Sequence, residues 1–335
     1  MNKFININNF KIFIIIIFIF IIRLLGMIKN KVLILGGNGL VGKTVSNRLS
    51  SSDKVSEIIS STREDTDLFS FEQTKKLLSE KKPNLIINAA AKVGGIQANN
   101  TQRTEFILEN LKINMNVLEA SKDYPELKII NLGSSCIYPL NAKNPISESS
   151  FLSGMLEPTN SPYAMAKITA IEIGRSIGDQ YGTKVLNLMP TNLYGPFDNF
   201  SENDSHVIPG LIYRMYNAKV NNVKEFVLWG TGTPLREFLY SEDLADAIEF
   251  LLDKDLDTDL VNVGSGNEVT IEDLAFKIKN ILDYKGEIIF DKSRPDGNPR
   301  KLLDSSLINS LGWSAKTSLD KGLTSTFDWF SKNKI

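Results

Sequence analysis

Short apolar runs alternate with amphipathic segments from about residue 30 to residue 190. Such runs, ending in glycine or other small residues, are typical of strands buried in a parallel sheet, and the segments between them favour helices. Strands are predicted at residues 31–35, 56–61, 85–91, 127–132 and 185–189, with helices at 43–50 and 105–121.

This alternation predicts an α/β protein with a doubly wound parallel sheet of the Rossmann type over residues 27–195. Beyond residue 195 the pattern loosens, and the loops are rich in Gly, Pro and Asp. We expect residues 196–335 to form a smaller C-terminal α/β lobe. Its predicted elements are helices at 207–219, 243–252 and 271–282 and a strand at 226–229.

Three glycines follow the first predicted strand with the spacing G-x-x-G-x-x-G, namely Gly36, Gly39 and Gly42. In dinucleotide-binding sheets such glycines allow a tight turn, a close approach of the pyrophosphate and close packing of helix on strand. The N-terminus of the helix predicted at 43–50 offers N–H groups and a positive dipole to phosphates, and Leu40 and Val41 in the turn are further candidate cofactor contacts. The strand on one side and the helix on the other favour a dinucleotide site over an ordinary loop.

The end of the second predicted strand carries Ser61, Thr62 and Arg63, about twenty residues after the last glycine. A site that prefers NAD usually has a carboxylate here for the ribose 2′-hydroxyl, whereas an arginine suits a 2′-phosphate. The sequence therefore favours NADP(H). Glu64 and Asp65 follow directly, so a solvated surface arginine is the alternative interpretation.

Tyr163 and Lys167 stand four residues apart in a predicted helix, so their side chains share one face. A nearby cation favours phenolate and would lower the pKa of the tyrosine. Such a phenol could protonate a carbonyl oxygen as a hydride arrives at its carbon. A solvated helix face with the same spacing is common, so the pair alone is a weak signal.

The chain has one cysteine, Cys136, and one histidine, His206. Cys136 follows Ser134 just past the end of a predicted strand, where ligands bind in parallel sheets. Buried filler is the ordinary role of a free cysteine, and a structural role is common for a lone histidine. One cysteine excludes an internal disulfide, and no Cys/His cluster has metal-ligand spacing, so no metal is predicted.

With 38 basic and 39 acidic side chains the net charge is −1, which argues against a nucleic-acid partner. Residues 1–26 form a hydrophobic N-terminal extension whose apolar run, Ile12–Ile22, is shorter than the ~20 residues that a spanning helix needs. Three interpretations stay open for it: translation starting at Met27, a membrane anchor, or a cleaved signal peptide. A membrane partner is expected only if this extension is an anchor.

Taken together, these residues closely resemble the GDP-L-fucose synthases, a family of the extended short-chain dehydrogenase/reductase group. The similarity covers the chain from about residue 30 to its end. The matching segments are residues 89–96, 133–139, 163–167, 190–196, 198–200, 205–209, 229–232, 236–238, 262–266, 295–297 and 299–301. The segments Ser-Ser-Cys and Ser-His-Val-Ile-Pro are the most specific of them.

The resemblance implies 3,5-epimerisation of a 4-keto sugar, with Cys136 as base and His206 as acid, followed by reduction at C4 with NADPH. Tyr163 would protonate the C4 oxygen, Ser134 would polarise it, and Lys167 would tune the tyrosine and hold the nicotinamide ribose. Further cofactor contacts are implied at Pro190, Asn192, Leu193 and His206. A GDP-sugar is the implied substrate, bound by Arg214, Trp229, Arg236, Asp296 and Lys301.

The family pattern makes residues 27–195 the NADP-binding domain and 196–335 the substrate lobe, and it implies a homodimer. A cytoplasmic location is expected because NADP(H), a phosphorylated redox cofactor, is available to enzymes in the cytosol. One departure weakens the NADP assignment: Asn38 stands where many bacterial members have an arginine for the 2′-phosphate. The alternatives are another nucleotide-sugar epimerase or dehydratase of the same group, and a non-catalytic NADP sensor on the same fold.

Overall fold

A computed structural model describes residues 29–202, 204–293 and 296–333 of the chain. The predicted N-terminal extension lies outside these residues. In the described part, no helix is both long and apolar enough to cross a membrane.

Twelve strands and ten α-helices make up the described chain. The strands are β1 (Asn30–Leu35), β2 (Val55–Ser61), β3 (Leu85–Asn88), β4 (Lys128–Leu132), β5 (Lys184–Pro190), β6 (Asn192–Tyr194), β7 (Glu225–Trp229), β8 (Leu235–Tyr240), β9 (Leu260–Val263), β10 (Glu268–Thr270), β11 (Glu287–Asp291) and β12 (Arg300–Lys301). The helices are α1 (Leu40–Leu49), α2 (Phe71–Lys81), α3 (Ile96–Thr101), α4 (Arg103–Ser121), α5 (Ser161–Tyr181), α6 (Val207–Val220), α7 (Ser241–Leu251), α8 (Ile271–Ile281), α9 (Ser306–Ser310) and α10 (Leu319–Asn333).

Six strands form one parallel sheet in the order β2-β1-β3-β4-β5-β9. This confirms the predicted doubly wound α/β fold. Strand β9 comes from beyond residue 195, so the sheet includes a strand from the predicted substrate lobe. The division of function at residue 195 stays a prediction.

The sheet is covered on both faces because its strands are apolar on both faces. Val32 and Ile34 pack with helices α1 and α7 on one side. Leu33 and Leu35, which alternate with them along β1, pack with α2, α4 and α5 on the other. Burial on both faces explains why these strands appear in the sequence as continuous apolar runs.

The C-terminal elements form two small sheets, β10-β8-β12 with β6 added to β8, and β11-β7. They share an aromatic core with α6, α8 and α10, in which Phe200 packs against Phe330. Strand β12 pairs with β8 in register, so Lys301 lies beside Arg236. The sequence does not predict β12, because a two-residue strand has no periodicity.

The third strand is shorter than predicted and ends at Asn88. A Cβ at Gly36 would lie 2.8 Å from the Cα of Ala90, so the backbone after Asn88 passes directly against the glycine turn. The small residues Ala89–Ala91 therefore allow this close approach and are not part of the strand.

Candidate active site

A cleft of ≈1780 Å³ lies at the carboxyl ends of the parallel strands, between the large sheet and the C-terminal elements. Ligands bind at this edge in open α/β sheets. All predicted site residues but one line the cleft, and the exception is Gly42. They are Gly36, Gly39, Leu40, Val41, Arg63, Ser134, Cys136, Tyr163, Lys167, Pro190, Asn192, Leu193, His206, Arg214, Trp229, Arg236, Asp296 and Lys301.

The glycine turn has the geometry of a dinucleotide cradle. Gly36 adopts a φ of +79°, a conformation that glycine accepts without strain. Gly42 lies inside α1, where a Cβ would come within 2.2 Å of the Gly36 carbonyl oxygen. The absence of this Cβ lets the helix N-terminus pack onto the turn, and no side chain caps that terminus. The N–H groups of its first turn thus fit a pyrophosphate.

Arg63 reaches the cleft from the end of β2 with 75% of its side chain exposed. Its guanidinium lies 3.7 Å from a carboxylate oxygen of Glu109. Asp65 is turned inwards to its own loop, because its carboxylate accepts hydrogen bonds from the N–H and hydroxyl of Thr62 at 2.8 Å each. Asp65 therefore does not take the position of a ribose-binding carboxylate, whereas Glu64 lines the cleft beside Arg63.

Tyr163 and Lys167 lie on the cleft-facing side of α5. The Lys167 ammonium is 5.7 Å from the centre of the tyrosine ring and donates a 2.7 Å hydrogen bond to the Leu132 carbonyl at the end of β4. Lys167 is only 2% exposed, and burial lowers its pKa to about 8. The phenol of Tyr163 is hydrogen-bonded to the Ser134 hydroxyl.

The pKa of Tyr163 is raised, so the expectation of a lowered pKa is wrong for the ligand-free site. Burial is the main cause and the nearby Cys136 sulfur adds to it, while the hydrogen bond to Ser134 acts in the opposite direction. Desolvation of the phenolate outweighs the attraction of the ammonium. At neutral pH the phenol keeps its proton.

Cys136 lies in a one-turn 3₁₀ helix, Ser135–Ile137, directly after β4. The Ser134 hydroxyl begins this turn by accepting the N–H of Cys136 at 3.2 Å. The thiol is free and half-buried. Two nitrogen donors approach its sulfur: the Asn160 amide at 3.5 Å and the Lys301 ammonium at 3.6 Å.

His206 occupies the N-cap position of α6, and its side chain makes no capping hydrogen bond. The imidazole is exposed to the cleft. The protein atoms around it reduce its hydration, and this desolvation lowers its pKa. The positive end of the helix dipole acts in the same direction, because it disfavours a charged imidazolium. His206 is therefore neutral at pH 7 in the ligand-free chain.

Two guanidinium groups lie in the substrate half of the cleft. Arg214 stacks over Phe226 at 5.3 Å and over Trp229 at 5.9 Å. Burial lowers the pKa of both Arg214 and Arg236. Within the described parts of the chain, neither forms an ion pair with a carboxylate. Buried cations usually have anionic partners, so these two fit an anionic ligand such as a diphosphate.

The other two predicted substrate residues have protein partners. Both carboxylate oxygens of Asp296 are held by Thr231, one by its N–H at 2.9 Å and one by its hydroxyl at 2.7 Å. Lys301 points to the sulfur of Cys136. The structure therefore brings Lys301 to the thiol of Cys136 as well as beside Arg236.

Asn160 and Asp198 also line the cleft and were not among the predicted site residues. Asn160 stands three residues before Tyr163, and no spacing rule singles it out. Asp198 is 9% exposed and lines the cleft; its Oδ1 accepts the N–H of Asn199 at 2.8 Å, and its Oδ2 has no hydrogen-bond partner among the described residues. Burial raises its pKa to about 7. The only signal for Asp198 was its place in a matching segment.

Asp198→Asn should make the protein more stable at pH 8 than the wild type, but not at pH 4. The carboxyl binds its proton more tightly in the folded chain, so its stabilising contribution is complete below about pH 4 and is lost as pH rises through about 7. The difference is on the order of 4 kcal/mol. Urea unfolding at the two pH values measures it, with exposed Asp204→Asn as control. An equal effect at both values contradicts the prediction.

Residues 32–264 match the model of the NAD dependent epimerase/dehydratase family. The chain is 46% identical to GDP-L-fucose synthase 1 of Arabidopsis thaliana over 90% of this chain and 94% of that protein. It is 39% identical to GDP-L-colitose synthase of Yersinia pseudotuberculosis over 91% of this chain and 99% of that protein.

The fold also matches a GDP-L-fucose synthetase from Naegleria fowleri bound to NADP. The TM-score is 0.84 at 29% identity, over 91% of this chain and 93% of that chain. The glycine cradle, the Tyr–Lys pair on α5 and these similarities agree with one another. The chain belongs to the NAD dependent epimerase/dehydratase family.

Proposed function

We propose that the protein converts GDP-4-keto-6-deoxy-D-mannose to GDP-L-fucose, by 3,5-epimerisation and then NADPH-dependent reduction at C4. The observation that carries this proposal is that one cleft contains both a thiol suited to proton abstraction and a phenol suited to carbonyl reduction. The Ser134 hydroxyl accepts the backbone N–H of Cys136, which carries the only thiol of the chain, and is hydrogen-bonded to the phenol of Tyr163. A simple ketone reductase needs the phenol but has no use for the thiol.

Epimerisation begins with removal of a proton from the carbon next to the ketone. The C–H bond breaks and an S–H bond forms on the thiolate of Cys136, while the C–H electron pair forms the C=C bond of an enolate and the C=O π pair moves to the C4 oxygen. A proton then returns to the opposite face of that carbon from His206. An imidazole with a lowered pKa gives up its proton readily once it holds one, and a bound diphosphate favours the charged imidazolium.

Reduction uses the second set of side chains. NADPH, when bound, supplies the hydride to C4. Tyr163 donates its phenolic proton to the C4 oxygen, and the hydroxyl of Ser134 polarises the same oxygen. Because the pKa of Tyr163 is raised, the phenol enters this step protonated. Lys167 is anchored on the Leu132 carbonyl, in place to contact the nicotinamide ribose and the phenol.

Arg63→Ser is expected to weaken NADPH binding by about 10- to 100-fold, since it removes a charge-assisted contact with the 2′-phosphate. NADH binding should change little and serves as the internal control. Fluorescence titration of both cofactors measures the two affinities. An equal loss for NADH and NADPH would assign Arg63 to the shared part of the cofactor and refute its role in selectivity.

The function is tested by incubating the protein with GDP-4-keto-6-deoxy-D-mannose and NADPH. We expect NADPH absorbance to fall in step with formation of GDP-L-fucose, identified by NMR. The similarity to GDP-L-colitose synthase supports a second candidate, the formation of another GDP-sugar. NADPH consumption with a different 4-keto GDP-sugar, but not with this one, would favour that candidate. No consumption with any 4-keto sugar would favour a non-catalytic NADP sensor.

We also propose that the active form is a cytoplasmic homodimer, as the family resemblance implies. Light scattering of the purified chain at micromolar concentration tests the oligomeric state, and a monomeric mass with full activity would refute it. Fractionation of cells that express the full chain tests the location. Recovery in the membrane fraction would favour an N-terminal anchor.

A further inference from the structure

The sulfur of Cys136 is approached by two hydrogen-bond donors, which a neutral S–H group does not require. The Lys301 ammonium and the Asn160 amide both direct N–H donors to the sulfur, at 3.6 and 3.5 Å. A neutral thiol is a weak acceptor, whereas a thiolate is a full negative charge that gains from every donor. Two donors on one sulfur therefore match the charged form.

Lys301 is held in this place by the sheet. It ends β12, which pairs with β8, and it is half-buried. Among the described residues, no carboxylate forms an ion pair with its ammonium, which donates to the sulfur of Cys136. A half-buried ammonium is costly without a counter-ion, so a thiolate at Cys136 stabilises the cation as the cation stabilises the thiolate.

Asn160 is the N-cap residue of α5, yet its side chain does not cap the helix. Asparagine is among the best capping residues, so this omission needs an explanation. The backbone here is held instead by Glu157, whose carboxylate accepts the N–H groups of Thr159 and Asn160 at 3.1 Å. The amide of Asn160 is thereby left to donate to the sulfur of Cys136.

We propose that Lys301 and Asn160 keep Cys136 as a thiolate before substrate binds, and that both are positioning residues for its proton transfer. The proposal deepens the proposed function and rests on it for the identity of the step. The thiolate takes the proton from the sugar carbon, so that the S–H bond forms as the C–H bond breaks. Lys301 thus acts on the base, in place of the substrate-binding role that the family resemblance implies.

The single cysteine makes a direct test possible, because iodoacetamide can label only one thiol. Alkylation of the ligand-free protein is followed by mass spectrometry between pH 5 and pH 10. Lys301→Met should be alkylated about tenfold more slowly than wild type at pH 7, with its pH profile moved to higher pH. Asn160→Leu should show a smaller change in the same direction.

Two further variants separate charge from folding. Lys301→Arg keeps the charge and should retain most of the wild-type alkylation rate. Arg300→Gln removes the neighbouring cation, which is paired with Glu268 on the outside of the protein, and should behave as wild type. NADPH binding by each variant checks that the fold is intact.

An alkylation rate and pH profile in Lys301→Met equal to those of wild type would overturn the proposal. An unchanged rate together with a raised KM for the nucleotide sugar would do so as well, and would assign Lys301 to substrate binding. Slower alkylation accompanied by slower hydrogen exchange in the substrate supports the proposal. Slower alkylation with unchanged exchange supports the thiolate assignment and contradicts the proposed function instead.

Discussion

Cys136→Ser is expected to lose hydrogen exchange at C3 and C5 of the substrate by about 1,000-fold, while C4 reduction without inversion persists. The serine hydroxyl is almost never ionised at neutral pH, so the donors from Asn160 and Lys301 have no anion to stabilise. The side chain is otherwise nearly the same size, and the fold should be unchanged.

The two half-reactions can be measured apart. Incubation with GDP-4-keto-6-deoxy-D-mannose in D₂O without NADPH reports deuterium uptake at carbon by mass spectrometry. Adding NADPH then reports reduction through its absorbance. Wild-type deuterium uptake in Cys136→Ser would refute the assignment of Cys136 as the base. Loss of NADPH oxidation along with exchange would show that the thiol is needed for both steps.

Tyr163→Phe is expected to show the opposite pattern, with exchange retained and NADPH oxidation reduced by about 100- to 10,000-fold. The substitution removes only the hydroxyl. It keeps the aromatic ring, whose centre lies 6.2 Å from that of Phe106 in an edge-to-face contact. The C4 oxygen then lacks the donor that would protonate it as the hydride arrives.

Tyr181→Phe is the matched control, since Tyr181 ends the same helix and is 43% exposed. It should keep both activities. If Tyr163→Phe reduced its substrate at the wild-type rate, another group would have to supply the proton. If it lost exchange and reduction equally, the phenol would belong to both steps rather than to reduction alone.

Local sequence signals were sufficient for five of the six strands of the large sheet. Strands such as β1 and β3 are buried on both faces. Because of this they are continuous apolar runs in the sequence, and such runs predict buried strands. Strands β6, β8, β9, β10, β11 and β12 escaped prediction, and their neighbours in the sheets are distant in sequence. Their conformation depends on the pairing partner and not on their own pattern.

The site residues show the same division. The glycine turn, the Tyr–Lys pair and the segment around Cys136 have local spacings, and they were identified before the fold was known. Asn160 and Lys301 both contact the sulfur of Cys136. They are separated from it by 24 and 165 positions in the sequence, so no local pattern indicates these contacts.

The α/β class, the dinucleotide turn and the candidate chemical side chains can be predicted without a structure. Each of these follows from residue type and short-range spacing. Which charges meet, and which are desolvated, depends on how the chain folds. Burial raises the pKa of Tyr163 in spite of Lys167, and β12 brings Lys301 to the thiol. Protonation states depend on solvent exclusion and on distances across the fold, and these arise only when distant segments pack together.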